Sequence, residues 1–421
     1  MTAIERIIQE LLAYNQQMEK SGLFTVNDLI AKMEPIYTAE ARDMQGPRPR
    51  ILISFGGGVG DFVLLSPCLR EIRRIYEGAY IFLAVSDNVY DLALACPYID
   101  ETAPFGFIHS INPDTELFYI ECVAFIQKYF THPFDIAFNF ASFFTGCLLS
   151  YMSGARERFL YLSSEDWTLF HTQIPYEAAL ALSTIHYPEK KISPHMVDRY
   201  LAVIDNLLHY PVHNREIDIW YTEEDLAHVQ GLLPPASSDR LIAIGLGGTG
   251  NGRKSWPKEN YAQLLQQILQ HDDAVHLVIT GGRDEQDAAA FIARHLPAGK
   301  LSNLAGAITY RQTAALLSLC QYYIGNDTGT MHLAAGNHIP VLVVFAYAAG
   351  LLPEESSIVE RYAPYHVPSV IIQPDNALPE CMQYAGHPLQ KMIGCVASHP
   401  HCITQVTVDE MYKGYLALKD I

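Results

Sequence analysis

Twice along this chain a short apolar strand runs straight into a cluster of glycines, first as RILISFGGGVGD from residue 50 and again as RLIAIGLGGTG from residue 240. The same alternation follows each opening. After the first come AYIFLAV and FDIAFNF, separated by segments of helical spacing such as LLSPCLREIRRIY. After the second come YAQLLQQILQ, AVHLVITGG, QTAALLSLC, YYIGND and PVLVVFA. Short apolar strands alternating with amphipathic helices are the pattern of βαβ units in a parallel sheet. A chain that repeats it is most simply an α/β protein of two Rossmann-like domains facing each other across a cleft. Ligands of such open sheets bind beyond the carboxyl ends of the strands. Here that means the two glycine loops and the turn GNDTGTMH.

A length of 421 residues agrees with more than one domain. Residues 1–48 read as a helical extension, from Ile4, Ile7, Ile8, Leu11 and Leu12 and a second pattern around Leu29, closed by the linker MQGPRPR. Residues 49–215 form the expected first domain and 216–375 the second, leaving 376–421 for a Cys/His segment and a last helix in TVDEMYKGYLAL. No apolar run approaches the roughly 18 to 20 residues that span a bilayer, and the N-terminus lacks a basic start and an apolar core. The expectation is a cytoplasmic protein without a cleaved signal. A formal net charge of -18 argues against binding nucleic acid or anionic lipid through a general basic field. An anionic ligand must then be caught by a local pocket. Five of the eight cysteines, at 68, 96, 122, 147 and 320, sit in apolar surroundings and read as buried reduced thiols.

Three stretches carry candidate chemistry. In GGGVGD, glycines 56, 57, 58 and 60 permit positive φ and close backbone approach, and the helix expected to begin near Asp61 offers unpaired N–H groups. No acid follows about 20 residues later at a clear strand end, so the dinucleotide fingerprint fails, and Asp61 alone reads as a helix N-cap. In GLGGTGNGRKSWP, Gly247, Gly248, Thr249 and Gly250 turn after a strand, Lys254 follows, and Trp256-Pro257 starts a helix. A lysine near exposed amides suits a diphosphate; the alternative is a solvated lysine on a loop. In YYIGNDTGTMHLAAGNHIPVLVVFA, a strand ends at a turn whose Thr328, Gly329 and Thr330 amides would open a helix N-terminus to a phosphate, flanked by Asp327 and His332.

The succession GGGVGDFVLLSP, GTGNGRKSWPKENYAQLL, VITGGRDEQ and LSNLAGAITYRQTAALLSLCQYYIGNDTGTMHLAAGNHIPVLVVF resembles the heptosyltransferases of glycosyltransferase family 9. The likeness runs from about residue 50 to about 345, more weakly between about 90 and 235. It implies the GT-B fold and inverting transfer of a sugar, typically heptose from ADP-heptose, without a catalytic metal. It implies Asp61 as general base, Lys254 as the lysine of the KSWP block, and Asp327, Thr328, Gly329 and His332 as the nucleotide-diphosphate turn. With them on the donor side stand Gly248, Thr249, Gly250 and Thr330. Gly281 and Gly282 would pass beneath the adenosine, with Asp284 or Glu285 reaching the ribose, and Asp327 would cap the helix or face sugar hydroxyls. In this fold the donor diphosphate belongs to the C-terminal domain. Gly57, Gly58 and Gly60 would therefore bring Asp61 close to the acceptor hydroxyl, and the final helix would cross back to the first domain.

The acidic balance departs from members that meet an anionic lipid core through a cationic face. A lipopolysaccharide core sugar and a protein side chain both stand as acceptors, with peripheral contact at the inner face of the membrane left open. The segment CMQYAGHPLQKMIGCVASHPHC gathers Cys381, Cys395 and Cys402 with His387, His399 and His401. Related autotransporter heptosyltransferases carry a metal finger in this region, and such ligands suit a structural Zn or Fe, although no CxxC pair is present. The competing function is a catalytically silent nucleotide-binding or scaffold member, with the helical extension mediating homo-oligomers. The joint presence of Asp61, Lys254 and NDTGTMH disfavours it. An epimerase or phosphorylase lacks its arginine- and glutamate-rich signals.

Overall fold

The computed structural model describes residues 48–106, 115–141, 144–161, 179–180, 182–186, 195–234, 240–247, 254–349, 358–377, 379 and 401–421. The helical extension expected at the N-terminus therefore lies outside the described residues, apart from position 48. Two compact units are present, one drawn from Met1–Gly58, Cys68–Ile192 and Arg199–Asn214 and the other from Val59–Pro67, Ser193–Asp198 and Arg215–Ile421.

The first unit is built on β1 (Arg50–Phe55), β2 (Tyr80–Val85), β3 (Glu101–Pro104), β4 (Ile136–Asn139), β5 (Glu157–Leu160) and β6 (Ile185–His186), in the order β3-β2-β1-β4-β5-β6. The second is built on β7 (Arg240–Gly245), β8 (Val275–Thr280), β9 (Leu301–Asn303), β10 (Tyr322–Asn326), β11 (Val341–Val344) and β12 (Ser369–Ile372), in the order β12-β11-β10-β7-β8-β9. Among the described residues all ten strand pairings are parallel. Counted from its own first strand, the second sheet repeats the order of the first. The expected α/β, GT-B class is met. In each sheet the order reverses between the first and fourth strands, β1 and β4 or β7 and β10, and that reversal opens a crevice at the strand ends.

Among the described residues the helices in chain order are α1 (Val59–Ile75), α2 (Asp87–Ala93), α3 (Thr115–Tyr129), α4 (Phe144–Met152), α5 (Met196–Ala202), α6 (Glu223–Leu232), α7 (Lys258–His271), α8 (Gln286–His295), α9 (Tyr310–Leu317), α10 (Gly329–Gly336), α11 (Ile358–Tyr362) and α12 (Val408–Lys419). Three start on capping boxes, Thr222 with Asp225, Thr309 with Gln312 and Thr407 with Glu410, in which two otherwise unpaired backbone donors are satisfied reciprocally. Helix α7 buries Tyr261, Leu264, Leu265 and Ile268, one stripe at helical spacing. Among the described residues no helix is long and apolar enough to cross a membrane.

The two cores differ in material. In the first, Phe82 meets Phe130 edge to face at 5.3 Å and Phe138 stacks on Phe159 at 4.7 Å. The second is mainly aliphatic, with Ile242, Ile244, Leu277, Ile279, Ile324, Leu342 and Val344 buried. Helix α12 adds Met411, Tyr415 and Leu418 to that aliphatic core, with Gly414 seated closely on Leu342 and Ile372. The expected return of this helix to the first domain is thus corrected. Its apolar face covers β11 and β12 of its own unit. Cysteines 68, 96, 122, 147 and 320 are buried as expected, and so is Cys402.

Candidate active site

The last residue of β10 organises the strand ends of the second unit. Asn326 is fully buried, and its Nδ2 donates to the carbonyl oxygens of Leu246 at 2.7 Å and Gly247 at 2.9 Å. Its Oδ1 accepts from the Trp256 amide at 3.2 Å and the Tyr261 hydroxyl at 2.9 Å. A primary amide has two donors and two acceptor lone pairs, and here all four are used. The indole N–H of Trp256 donates in turn to the Val406 carbonyl at 2.9 Å. Sequence reasoning passed over Asn326. The available signal was its place, a polar residue closing a strand immediately before the turn.

Asp327 follows, 9% exposed, with Oδ2 at 3.3 Å from Lys254 Nζ. That ammonium lies 5.2 Å above the Tyr347 ring. Burial works against the lysine's charge, but Asp327 and Tyr347 outweigh it and hold the pKa above the ordinary lysine value. Lys254 is thus a fixed cation. Thr328, not Asp327, is the N-cap of α10, and its side chain makes no capping bond. The expected capping role of Asp327 is corrected by one residue. Gly329 and Thr330 form the first turn, whose backbone N–H groups carry the positive end of the helix dipole.

His332 is 3% exposed, and its Nδ1 is buried without a hydrogen-bond partner. Burial lowers its pKa to about 4, with Asp327 opposing and His195 and Lys254 assisting, so the ring is neutral near pH 7. A Cβ added to Gly60 would lie 2.6 Å from His332 Cδ2, and one added to Gly329 would lie 3.2 Å from the Gly60 nitrogen. Two glycines therefore let the first turn of α1 meet the first turns of α10. Asp61 is the third residue of α1 and half-buried. Because α1 starts at Val59, Asp61 belongs to the first helical turn, which corrects the reading of it as an N-cap. Gly57 and Gly58 precede the helix, and the Gly57 carbonyl accepts from Ser86 Oγ at 3.2 Å.

Beyond β8, Gly281 has φ +142, a conformation that L side chains rarely adopt, and Gly282 caps a short 3-10 turn, Arg283–Glu285. The Glu285 carboxylate folds back over Gly281 and Gly247, where a Cβ at either position would overlap it. Its Oε2 is buried without a partner. Burial and the neighbouring Asp284 push its pKa up to about 7. Asp284 itself is exposed.

Gly248, Thr249 and Gly250 lie outside the described residues, as do Cys381, Cys395, His387 and His399. Cys402 is buried with Sγ 3.5 Å from His401 Nδ1. Among the described residues no group of three His, Cys, Asp or Glu side chains is placed to hold a metal. Lys254, Asp327, His332, Gly60 and Asp61 all belong to the second unit. A fixed cation beside a helix N-terminus is equipped for an anion.

A family model described as glycosyltransferase family 9 (heptosyltransferase) matches residues 170–351. Lipopolysaccharide heptosyltransferase 2 of Escherichia coli K12 is 22% identical over 307 residues, 70% of this chain and 82% of that protein. A solved glycosyltransferase of family 9 from Veillonella parvula superposes with a TM-score of 0.67 at 17% identity, covering 89% of this chain and 98% of its own. The solved E. coli ADP-heptose lipopolysaccharide heptosyltransferase II gives 0.64 at 18%, covering 88% and 98%.

The family match over residues 170–351 and these relatives support membership of glycosyltransferase family 9. The chain is a glycosyltransferase, and the residues that the family model covers include Lys254, Glu285, Asn326, Asp327 and His332. Asp61 lies before them in the chain.

Proposed function

We propose that this glycosyltransferase moves a heptose from ADP-heptose to an acceptor hydroxyl with inversion, using Asp61 as general base and no catalytic metal. The observation that carries the reading is the partly buried Lys254–Asp327 pair, 3.3 Å apart, at the N-terminus of α10. An incoming diphosphate can replace Asp327 as counter-ion to Lys254 while the Thr328 to Thr330 amides point at its oxygens. The relatives named for heptose transfer, one of them for ADP-heptose, support the donor.

In the transfer step the acceptor oxygen attacks the anomeric carbon, the bond from that carbon to the β-phosphate oxygen breaks, and the acceptor proton passes to Asp61. ADP leaves with the extra negative charge, which Lys254 and the α10 amides stabilise where it develops. A single displacement inverts the anomeric centre. The neutral His332, with Nδ1 unpartnered, is suited to a hydrogen bond with the donor. Glu285 rather than the exposed Asp284 takes the ribose hydroxyls, because its carboxylate is already seated on Gly247 and Gly281 with one oxygen unused.

The names of the relatives support a lipopolysaccharide acceptor, here a core sugar, and action at the inner face of the membrane belongs to the same proposal. The charge of -18 supports the second reading, a protein or other soluble acceptor. The experiment is turnover of ADP-heptose on core lipopolysaccharide lacking outer heptose and on candidate acceptor proteins, read by ADP release and by mass gain of the acceptor. Asp61→Asn is expected to lower turnover about 10²- to 10⁴-fold, a barrier increase of about 3 to 5 kcal/mol, with ADP affinity retained. Wild-type turnover in that variant would remove Asp61 from the mechanism.

A further inference from the structure

The four hydrogen bonds of Asn326 reach both ends of the stretch that carries Lys254. Leu246 and Gly247 leave β7, and Trp256 enters α7 two residues after the lysine. Tyr261 braces the same amide oxygen from the first turn of α7 and also lies 3.3 Å from the Gly245 carbonyl. Asn326 is joined by a single peptide bond to Asp327, the partner of Lys254. We infer that Asn326 is a positioning residue of the donor site, holding both ends of the 246–256 stretch to the tip of β10 so that Lys254 stands beside α10 before the diphosphate arrives.

The inference rests on the reading that a nucleoside diphosphate binds here, and adds what sets the cation in place. Chemistry favours an amide at this point. Two carbonyl oxygens require donors and two donors require an acceptor, and no other uncharged side chain of this size supplies both. A carboxylate in its place would face the Leu246 and Gly247 carbonyls with no proton to offer. A cation fixed in advance costs the ligand no ordering when it binds.

Asn139, which ends the equivalent strand β4, supplies the control. Its Oδ1 accepts from Ser54 Oγ at 3.1 Å and the Ala141 amide at 3.0 Å, and its Nδ2 lies 3.1 Å from Cys147 Sγ. These partners carry no charge. The amide at this strand end serves the fold in both sheets, and only in the second does it also anchor a stretch bearing a lysine.

The test is ADP titration by calorimetry on the purified full chain, with melting temperatures read on the same samples. Asn326→Asp is expected to weaken ADP about tenfold or more and Tyr261→Phe about threefold, on the scale of lost buried hydrogen bonds. Asn139→Asp is expected to lower the melting temperature while leaving ADP affinity unchanged. In a double-mutant cycle, Lys254→Ala is expected to cost less in the Asn326→Asp background than in wild type, because the lysine is already misplaced; a purely architectural asparagine predicts additive losses. If Asn326→Asp does not fold, Tyr261→Phe with unchanged affinity overturns the inference by itself. Undiminished ADP binding by folded Asn326→Asp, or additive losses, overturns it while the donor-site reading stands. Absence of ADP binding in wild type overturns both.

Discussion

The tips of β4 and β10 occupy the same place in two sheets of the same strand order, and each ends in a buried asparagine. Around Asn139 the partners are a serine, a backbone amide and a thiol, and Gly146 approaches too closely for a side chain. Burial raises the Cys147 thiol to about 12, so that end stays uncharged at neutral pH. Around Asn326 the next residues are Asp327 and the α10 N-terminus, with Lys254 fixed alongside. The strand order builds a crevice in both cases, and the residues that follow the asparagine decide whether it can hold an anion. Fold supplies a position and the site supplies the chemistry.

The largest effect that would break this contrast comes from Gly60. A Cβ there meets His332 Cδ2 at 2.6 Å, against a ring packed within a buried helix, so the backbone around Asp61 has to move. Gly60→Val is expected to lower turnover on the order of 10²-fold, the scale attached to a displacement of about 1 Å at a reacting centre. Donor titration on the same sample is expected to show a much smaller change. Equal loss of donor binding and turnover would mean that the glycine serves the donor turn and not the general base.

Glu285→Gln is expected to have a smaller effect and to sharpen the contrast through pH. In the folded protein this carboxyl holds its proton up to about 7, whereas in the unfolded chain it ionises near 4.5. Between those values the folded state binds more protons than the unfolded state, so this group's contribution to stability declines as pH rises through the window. The glutamine variant lacks the decline, and its melting temperature is expected to exceed that of wild type above about pH 7, by a margin that vanishes near pH 4.5. ADP affinity of wild type is expected to rise as Glu285 ionises, while that of the variant stays flat and about tenfold weaker at alkaline pH. A melting profile indifferent to the substitution would place the carboxylate in solvent.

Some elements could be read residue by residue. RILISF is β1, and TVDEMYKGYLAL holds α12, because a largely apolar run ending in glycines and a helix-period run are local signals. The short strands ETAP, LSN and Ile185–His186 have no such signal, since parallel pairing to a neighbour defines them. Lys254, Asp327 and His332 stood out by residue type near glycine turns, and the structure gathers them. The cap of α10 was misplaced by one position because Asp, Thr and Asn are all good caps and backbone geometry chooses among them. Asn326 was missed because its partners, Tyr261 and Leu246, lie 65 and 80 residues away. Asp284 and Glu285 are neighbours in sequence, and the turn at Gly281 separates their environments.

We propose that the second unit holds the donor diphosphate on Lys254 and the N-terminus of α10. Calorimetric titration of ADP into wild type and Lys254→Ala tests it most directly, with UDP and GDP as comparators. Micromolar binding that prefers ADP is expected in wild type, with a loss of about 30-fold or more in the variant, the scale of a charge-assisted contact to phosphate. Equal affinity in the two proteins, or no binding of any nucleotide to wild type, would contradict it.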